Sequence, residues 1–82
     1  MLTAKRSEGP YDFTIRVEEI QLLMNKYNYA ARVIAAIRRD SGEDVLADVD
    51  VAEHHGVLAE EAVTNAVAAA MKSLSNNRIS RS

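Results

Sequence analysis

Two adjacent histidines among acidic residues are the side chains of this 82-residue chain whose types could hold a metal ion. His54 and His55 follow Asp48, Asp50 and Glu53, and both imidazole and carboxylate groups bind divalent cations. Neighbouring residues on a helix point about 100° apart, so two adjacent histidines would not share one ion there. His-x-x-x-His and Asp-x-Asp-x-Asp-Gly spacings are missing. We therefore expect no metal ion and no other cofactor.

Nucleophilic and phosphate chemistry lack their usual motifs. The chain has no cysteine, and no serine lies in a Gly-x-Ser-x-Gly turn. Gly9, Gly42 and Gly56 are isolated, so no glycine-rich loop can hold a phosphate. The composition and motifs thus predict that the protein is not an enzyme.

Charge is unevenly distributed. Residues 40–61 carry eight acidic and no basic side chains, while the segments on either side are basic. Such a run is either a solvated connection or an acidic surface that docks a basic partner. Tyrosine is enriched at interfaces, so we predict that the partner contacts both tyrosines and acidic residues. The predicted contact residues are Tyr27, Tyr29, Asp44, Asp48, Asp50 and Glu53.

The elements that would position these residues are helices. Apolar residues recur at three- and four-residue steps from Ile20 to Ile37, which predicts a long helix over 16–39. A second stripe predicts a helix over 58–74 that starts with two glutamates. Residues 43–56 favour a short connecting helix, although Val49 and Val51 could alternate in a strand. The prediction is an all-α fold, a small hairpin of two main helices.

The N-terminal third leaves one alternative open. Residues 12–17 alternate apolar and polar side chains, which is typical of a strand, but they could also lead directly into the long helix. The Gly9-Pro10 pair breaks regular structure. We therefore divide the chain into a flexible arm over 1–10, a single helical domain over 11–75 and a flexible tail over 76–82.

Residues 51–57 resemble the first helix and turn of a helix-turn-helix unit. Ala52 and Gly56 occupy that motif's small-residue and turn positions. The resemblance implies a DNA-binding regulator built from about residues 50–72. Glu60 and Glu61 open the helix that would read DNA, and acids there oppose phosphate binding, so we do not expect nucleic acid as the partner.

The small predicted core favours association. A domain this size gains roughly 3–5 kcal/mol from one core and usually needs a further stabilising element. Cysteine is absent and aromatic residues make up 5% of the chain, so we expect a homodimer or a protein partner. No apolar run has membrane-spanning length. The sequence thus predicts a cytoplasmic, non-enzymatic protein–protein interaction module, an adaptor or inhibitor of bacterial or phage type.

Overall fold

The fold is an antiparallel sheet covered on one face by one helix. The computed structural model describes residues 2–20 and 28–80, and side chains as far as residue 76. Its strands are β1 (Leu2–Glu8), β2 (Tyr11–Glu19), β3 (Tyr29–Arg38) and β4 (His54–Gly56), followed by the helix α1 (Ala59–Ser80). The strands lie in chain order, each antiparallel to the next. The predicted all-α hairpin is therefore wrong.

A tight turn joins β1 to β2. Glu8 pairs with Tyr11, so the loop between them is Gly9-Pro10, and Gly9 has φ +56°. Proline cannot adopt a positive φ, so Gly9-Pro10 form a type II′ turn, with glycine at the first central position. The backbone twist of this turn matches that of the two strands it joins. Residues 2–8 of the predicted flexible arm thus form β1. The Gly-Pro pair does break the chain's course, but it reverses the chain instead of releasing it.

An ionic contact supports this turn. Asp12 accepts hydrogen bonds from Ser7 Oγ at 2.7 Å and from Arg39 Nη1 at 3.1 Å. Arg39 also donates to the carbonyl of Gly9. The Ser7 hydroxyl and then the Arg39 guanidinium hold the pKa of Asp12 below its usual value of 3.8, although partial desolvation opposes them. The contact joins the β1–β2 turn to the end of β3.

Replacing Asp12 by asparagine should make the melting temperature of the protein depend less on pH. A carboxylate with a lowered pKa stabilises the fold above its unfolded pKa, and that contribution is lost as the pH falls through the folded value. Asp12→Asn should therefore melt at a lower temperature than the wild type at neutral pH. The gap should narrow below about pH 4. Thermal melts across this range, with Ser7→Ala as an intermediate case, test it; a gap of constant size contradicts it.

β2 supplies the central row of the core. Tyr11, Phe13, Ile15 and Val17 are buried, and the residues between them are more exposed. This alternation is the strand pattern, so of the two alternatives for residues 12–17 the structure shows the strand.

β3 contains a β-bulge. Ile15 pairs with Val33 and Thr14 with Ala35, so Ile34 is an extra residue opposite their junction. The bulge shifts the alternation: Ala31 and Val33 face the helix before it, and Ala36 faces the helix after it. The long helix predicted over 16–39 is therefore replaced by β2 and β3 wherever the structure describes it.

The β3–β4 connection holds less helix than predicted. A single turn of 3-10 helix spans Leu46–Asp48, and residues 50–53 form neither helix nor strand before β4. Val49 is buried against the core, and Val45 N–H donates to Ala36 O at 2.9 Å. The connection thus folds back on β3.

α1 confirms the predicted C-terminal helix. It begins at Ala59 and continues to Ser80, beyond the predicted end. Its buried face consists of small and medium side chains, Ala62, Val63, Ala66, Val67, Ala70 and Leu74. Alanine at the contact positions allows the helix to lie close to the sheet. The predicted tail thus lies in part within α1, and residues 81–82 lie outside the described part.

The core lies between α1 and the sheet. Its largest fully buried side chains are Phe13, Ile15 and Val33, all from the two central strands. Among the described helices, none is long and apolar enough to cross a membrane.

Candidate functional site

The two edges of the sheet differ in their protection. β4 has three residues, and the Asn65 side chain of α1 donates to the His55 carbonyl at 3.0 Å. Gly56 lies so close to the first turn of α1 that a Cβ there would be 2.6 Å from Ala62 N. The helix start therefore covers the β4 edge.

The β1 edge is open. β1 has seven residues, and all of them are exposed except the half-buried Ala4. Leu2 is 65% exposed. Within the described residues no other strand pairs with the side of β1 away from β2. Half of a strand's backbone N–H and C=O groups point to each side, so this edge can accept another strand.

A groove runs between β1 and α1. Leu2, Ala4, Arg6 and Glu8 pair with the buried residues of β2, so they share the face of the sheet that α1 covers. The helix packs mainly over β2, β3 and β4 and leaves this part of the face accessible. The groove is lined by Arg6, Glu8, Thr64, Val67, Ala68 and Met71. One wall is thus a charged strand and the other the apolar flank of a helix.

Two cations lie in the middle of β1. Lys5 and Arg6 are both exposed, and because strand side chains alternate they point to opposite faces of the sheet. Arg6 Nη1 donates to the Lys5 carbonyl at 3.2 Å. Within the described residues neither cation forms an ion pair with a carboxylate. The edge therefore offers positive charge on both faces.

The predicted acidic contacts lie elsewhere, in the β3–β4 connection. Asp44 Oδ1 accepts from Leu46 N–H at 2.9 Å and Asp50 Oδ1 from Ala52 N–H at 2.8 Å, so both stabilise turns. Asp48 is the last residue of the 3-10 helix. Asp44 borders a shallow apolar groove lined by Leu46, Ala47, Val49 and Val51. An apolar centre with a charged rim is typical of a protein interface.

The predicted tyrosines do not join this surface. Tyr29 is half-buried against the core at the start of β3, while Asp44 bridges to Ile37 at the opposite end of the same strand. Tyr27 lies outside the described residues. Asp44 and Tyr29 thus do not lie on one contact surface.

The two histidines lie on opposite faces of β4. His54 pairs with Ala31 on the helix side, and His55 pairs with Ala30 on the open side. His54 Nε2 lies 3.8 Å from Asp50 Oδ2, and His55 Nε2 lies 3.1 Å from Glu53 Oε1. In the described part of the chain no three histidine, aspartate or glutamate side chains converge as metal ligands.

The face of the sheet away from α1 carries a charged depression, of which the sequence predicted only Glu53 as a contact residue. Arg16 and Arg32 are direct cross-strand neighbours, and Glu18 and Glu53 lie beside them over the small side chain of Ala30. Two guanidinium groups and two carboxylates leave no net charge, which is typical of a solvated sheet face. Strand pairing brings these four residues together, and no sequence pattern indicates it.

Residues 51–57, which resemble the first helix and turn of a helix-turn-helix unit, contain no helix. Residues 50–53 form neither helix nor strand, β4 follows, and residues 57–58 form a bend before α1. A strand therefore replaces the element that would support a recognition helix.

Comparison of the chain with protein-family models, with characterised proteins and with solved structures yields no match.

Proposed function

We propose that this chain is a non-enzymatic protein–protein interaction module that binds an extended segment of its partner along β1. The observation that carries the proposal is the difference between the two sheet edges: α1 closes the β4 edge and leaves the longer β1 edge open. Recognition by strand addition uses such an edge, where main-chain hydrogen bonds supply affinity and neighbouring pockets supply specificity.

The groove beside β1 supports this mode of binding. A strand added to β1 would direct every second side chain toward Thr64, Ala68 and Met71 on α1. An adaptor or inhibitor role agrees with a small domain that presents one such edge. The cytoplasmic location stays a prediction.

A peptide-selection experiment tests the proposal. Random peptides displayed on phage are selected against the folded chain, and the enriched peptides are titrated into labelled protein by NMR. We expect chemical shift changes concentrated at residues 2–8 and on the groove side of α1. Ala68→Trp, at an exposed groove position, should weaken binding about tenfold, which is a loss of about 1.4 kcal/mol. Ile34→Trp, at an exposed position on β3, should leave it unchanged.

The acidic β3–β4 connection is the second candidate surface, because Asp44 borders its apolar groove and Asp50 lies in the same connection. Asp44→Asn with Asp50→Asn keeps the side-chain oxygens that stabilise the two turns and removes their charge. The proposal for β1 is wrong if the enriched peptides change the chemical shifts of residues 44–51 instead of those of β1, and if this double variant weakens peptide binding. The acidic surface is then the binding site.

A further inference from the structure

We infer that the segment bound along β1 is acidic, with carboxylates opposite Lys5 and Arg6 and aliphatic side chains at the other groove-facing positions. This inference rests on the proposed function and names the chemistry of the partner. Its basis is charge complementarity at the open edge together with the apolar wall that α1 presents beside it.

The charge of β1 selects the partner's middle residues. A residue opposite Lys5 lies on the open face of the sheet, and a residue opposite Arg6 lies on the groove face. Opposite charges across a strand pair are favourable, and like charges directly opposite are unfavourable. Two adjacent acidic residues therefore satisfy both cations.

The groove selects the partner's other inward residues. Val67, Ala68 and Met71 supply its apolar wall, and Met71 can rearrange to fit different aliphatic side chains. A side chain opposite Ala4 or Glu8 points into this groove. Valine suits these positions because it favours strand conformation and has the size of a shallow site.

A second copy of the chain is a poorer occupant of the same edge. In a full-length antiparallel pair of two β1 strands, Lys5 would lie directly opposite Lys5 of the second copy, and Leu2 would lie opposite Glu8. Lysine in the middle of an edge strand opposes such self-pairing. The β1 edge therefore disfavours pairing with β1 of a second copy, while it can still accept an acidic strand.

Three synthetic peptides test the inference. The acidic probe is Val-Thr-Glu-Glu-Val-Thr-Val, whose antiparallel alignment puts its glutamates opposite Arg6 and Lys5. The other two probes replace both glutamates by glutamine or by lysine. We expect the acidic peptide to bind about tenfold more tightly than the lysine peptide, with the glutamine peptide between them. Calorimetry gives the affinities, and NMR shifts give the location.

Charge reversal on the protein provides the decisive comparison of peptide affinities. Lys5→Glu with Arg6→Glu should invert the order, so that the lysine peptide binds most tightly. Arg32→Glu with Lys72→Glu makes the same change in net charge at residues that do not line the groove and should preserve the original order. Circular dichroism and thermal melts show whether both double variants keep the fold.

The outcomes separate this inference from the proposed function. Equal affinity of the three peptides with shifts at β1 would overturn the acidic preference and leave strand addition in place. An order that both double variants alter equally would also overturn it, because long-range charge would then be the cause. Self-association that shifts β1 would replace the peptide by a second copy. No shift at β1 with these peptides or with any selected peptide would overturn both.

Discussion

Phe13→Ala is expected to lower the free energy of unfolding by about 3–5 kcal/mol, the usual cost of removing a buried aromatic side chain. Phe13 is 1% exposed in the middle of β2, where it pairs with Ala36 and lies 6.2 Å from the Tyr11 ring, centroid to centroid. The core residues of α1 are mostly alanine and valine, whose short side chains cannot extend to fill the space that the ring would leave. Urea unfolding followed by far-ultraviolet circular dichroism measures the loss.

Ile34→Ala is the matched control. Ile34 is 43% exposed at the β3 bulge, on the face away from α1, so its truncation should cost less than about 1 kcal/mol. The pair also distinguishes the sheet from the helical hairpin that the sequence predicts. In a helix over 16–39, Ile34 would lie in the apolar stripe and Phe13 would precede the helix. A larger loss at Ile34 than at Phe13 would contradict the sheet.

Gly56→Ala is expected to cost about 1–3 kcal/mol because the new methyl group would overpack the junction of β4 and α1. The added Cβ would lie 2.6 Å from Ala62 N and 3.0 Å from Glu61 Cβ. Backbone atoms of a helix cannot rotate away as a flexible side chain can, so β4 must move from the helix start. The hydrogen bond from Asn65 to the His55 carbonyl should weaken with it, which opens the protected edge.

Gly42→Ala separates this steric effect from a glycine's backbone freedom. Gly42 has φ +71° and no atom within 4 Å of an added Cβ, so alanine there costs about 1–2 kcal/mol of backbone strain without a collision. Amide hydrogen exchange is the readout that differs. We expect faster exchange across β4 in Gly56→Ala and unchanged exchange there in Gly42→Ala. Unchanged exchange in both variants would contradict the close approach of α1 to β4.

The bulge in β3 explains why the central strands resemble a helix in sequence. Inward residues at Ala31, Val33 and Ala36 are spaced by two and then by three, because Ile34 adds a residue to one strand of the pair. Combined with the apolar residues on the open face, such as Ile37, this spacing imitates the three- and four-residue steps of an amphipathic helix. The residue that breaks the alternation has no local signature, since the need for it comes from the neighbouring strand.

The candidate site was even less accessible to sequence reasoning. Lys5 and Arg6 look like part of a charged arm until β2 pairs with β1 and α1 packs beside it. A Gly-Pro pair is compatible with a flexible arm and with a hairpin turn, and only the pairing partner distinguishes the two. The acidic residues were conspicuous as a run, but Asp44 and Asp50 are already engaged in local turns.

What the sequence determined by itself is local: the helix that starts at Ala59, the alternation of residues 12–17 and the uneven distribution of charge. A helix closes its hydrogen bonds within its own segment, so its pattern and its first-turn glutamates suffice to indicate it. Strands form their hydrogen bonds with residues distant in the chain. The order of the strands, the β3 bulge and the choice of which edge α1 covers were therefore decided only by the tertiary structure.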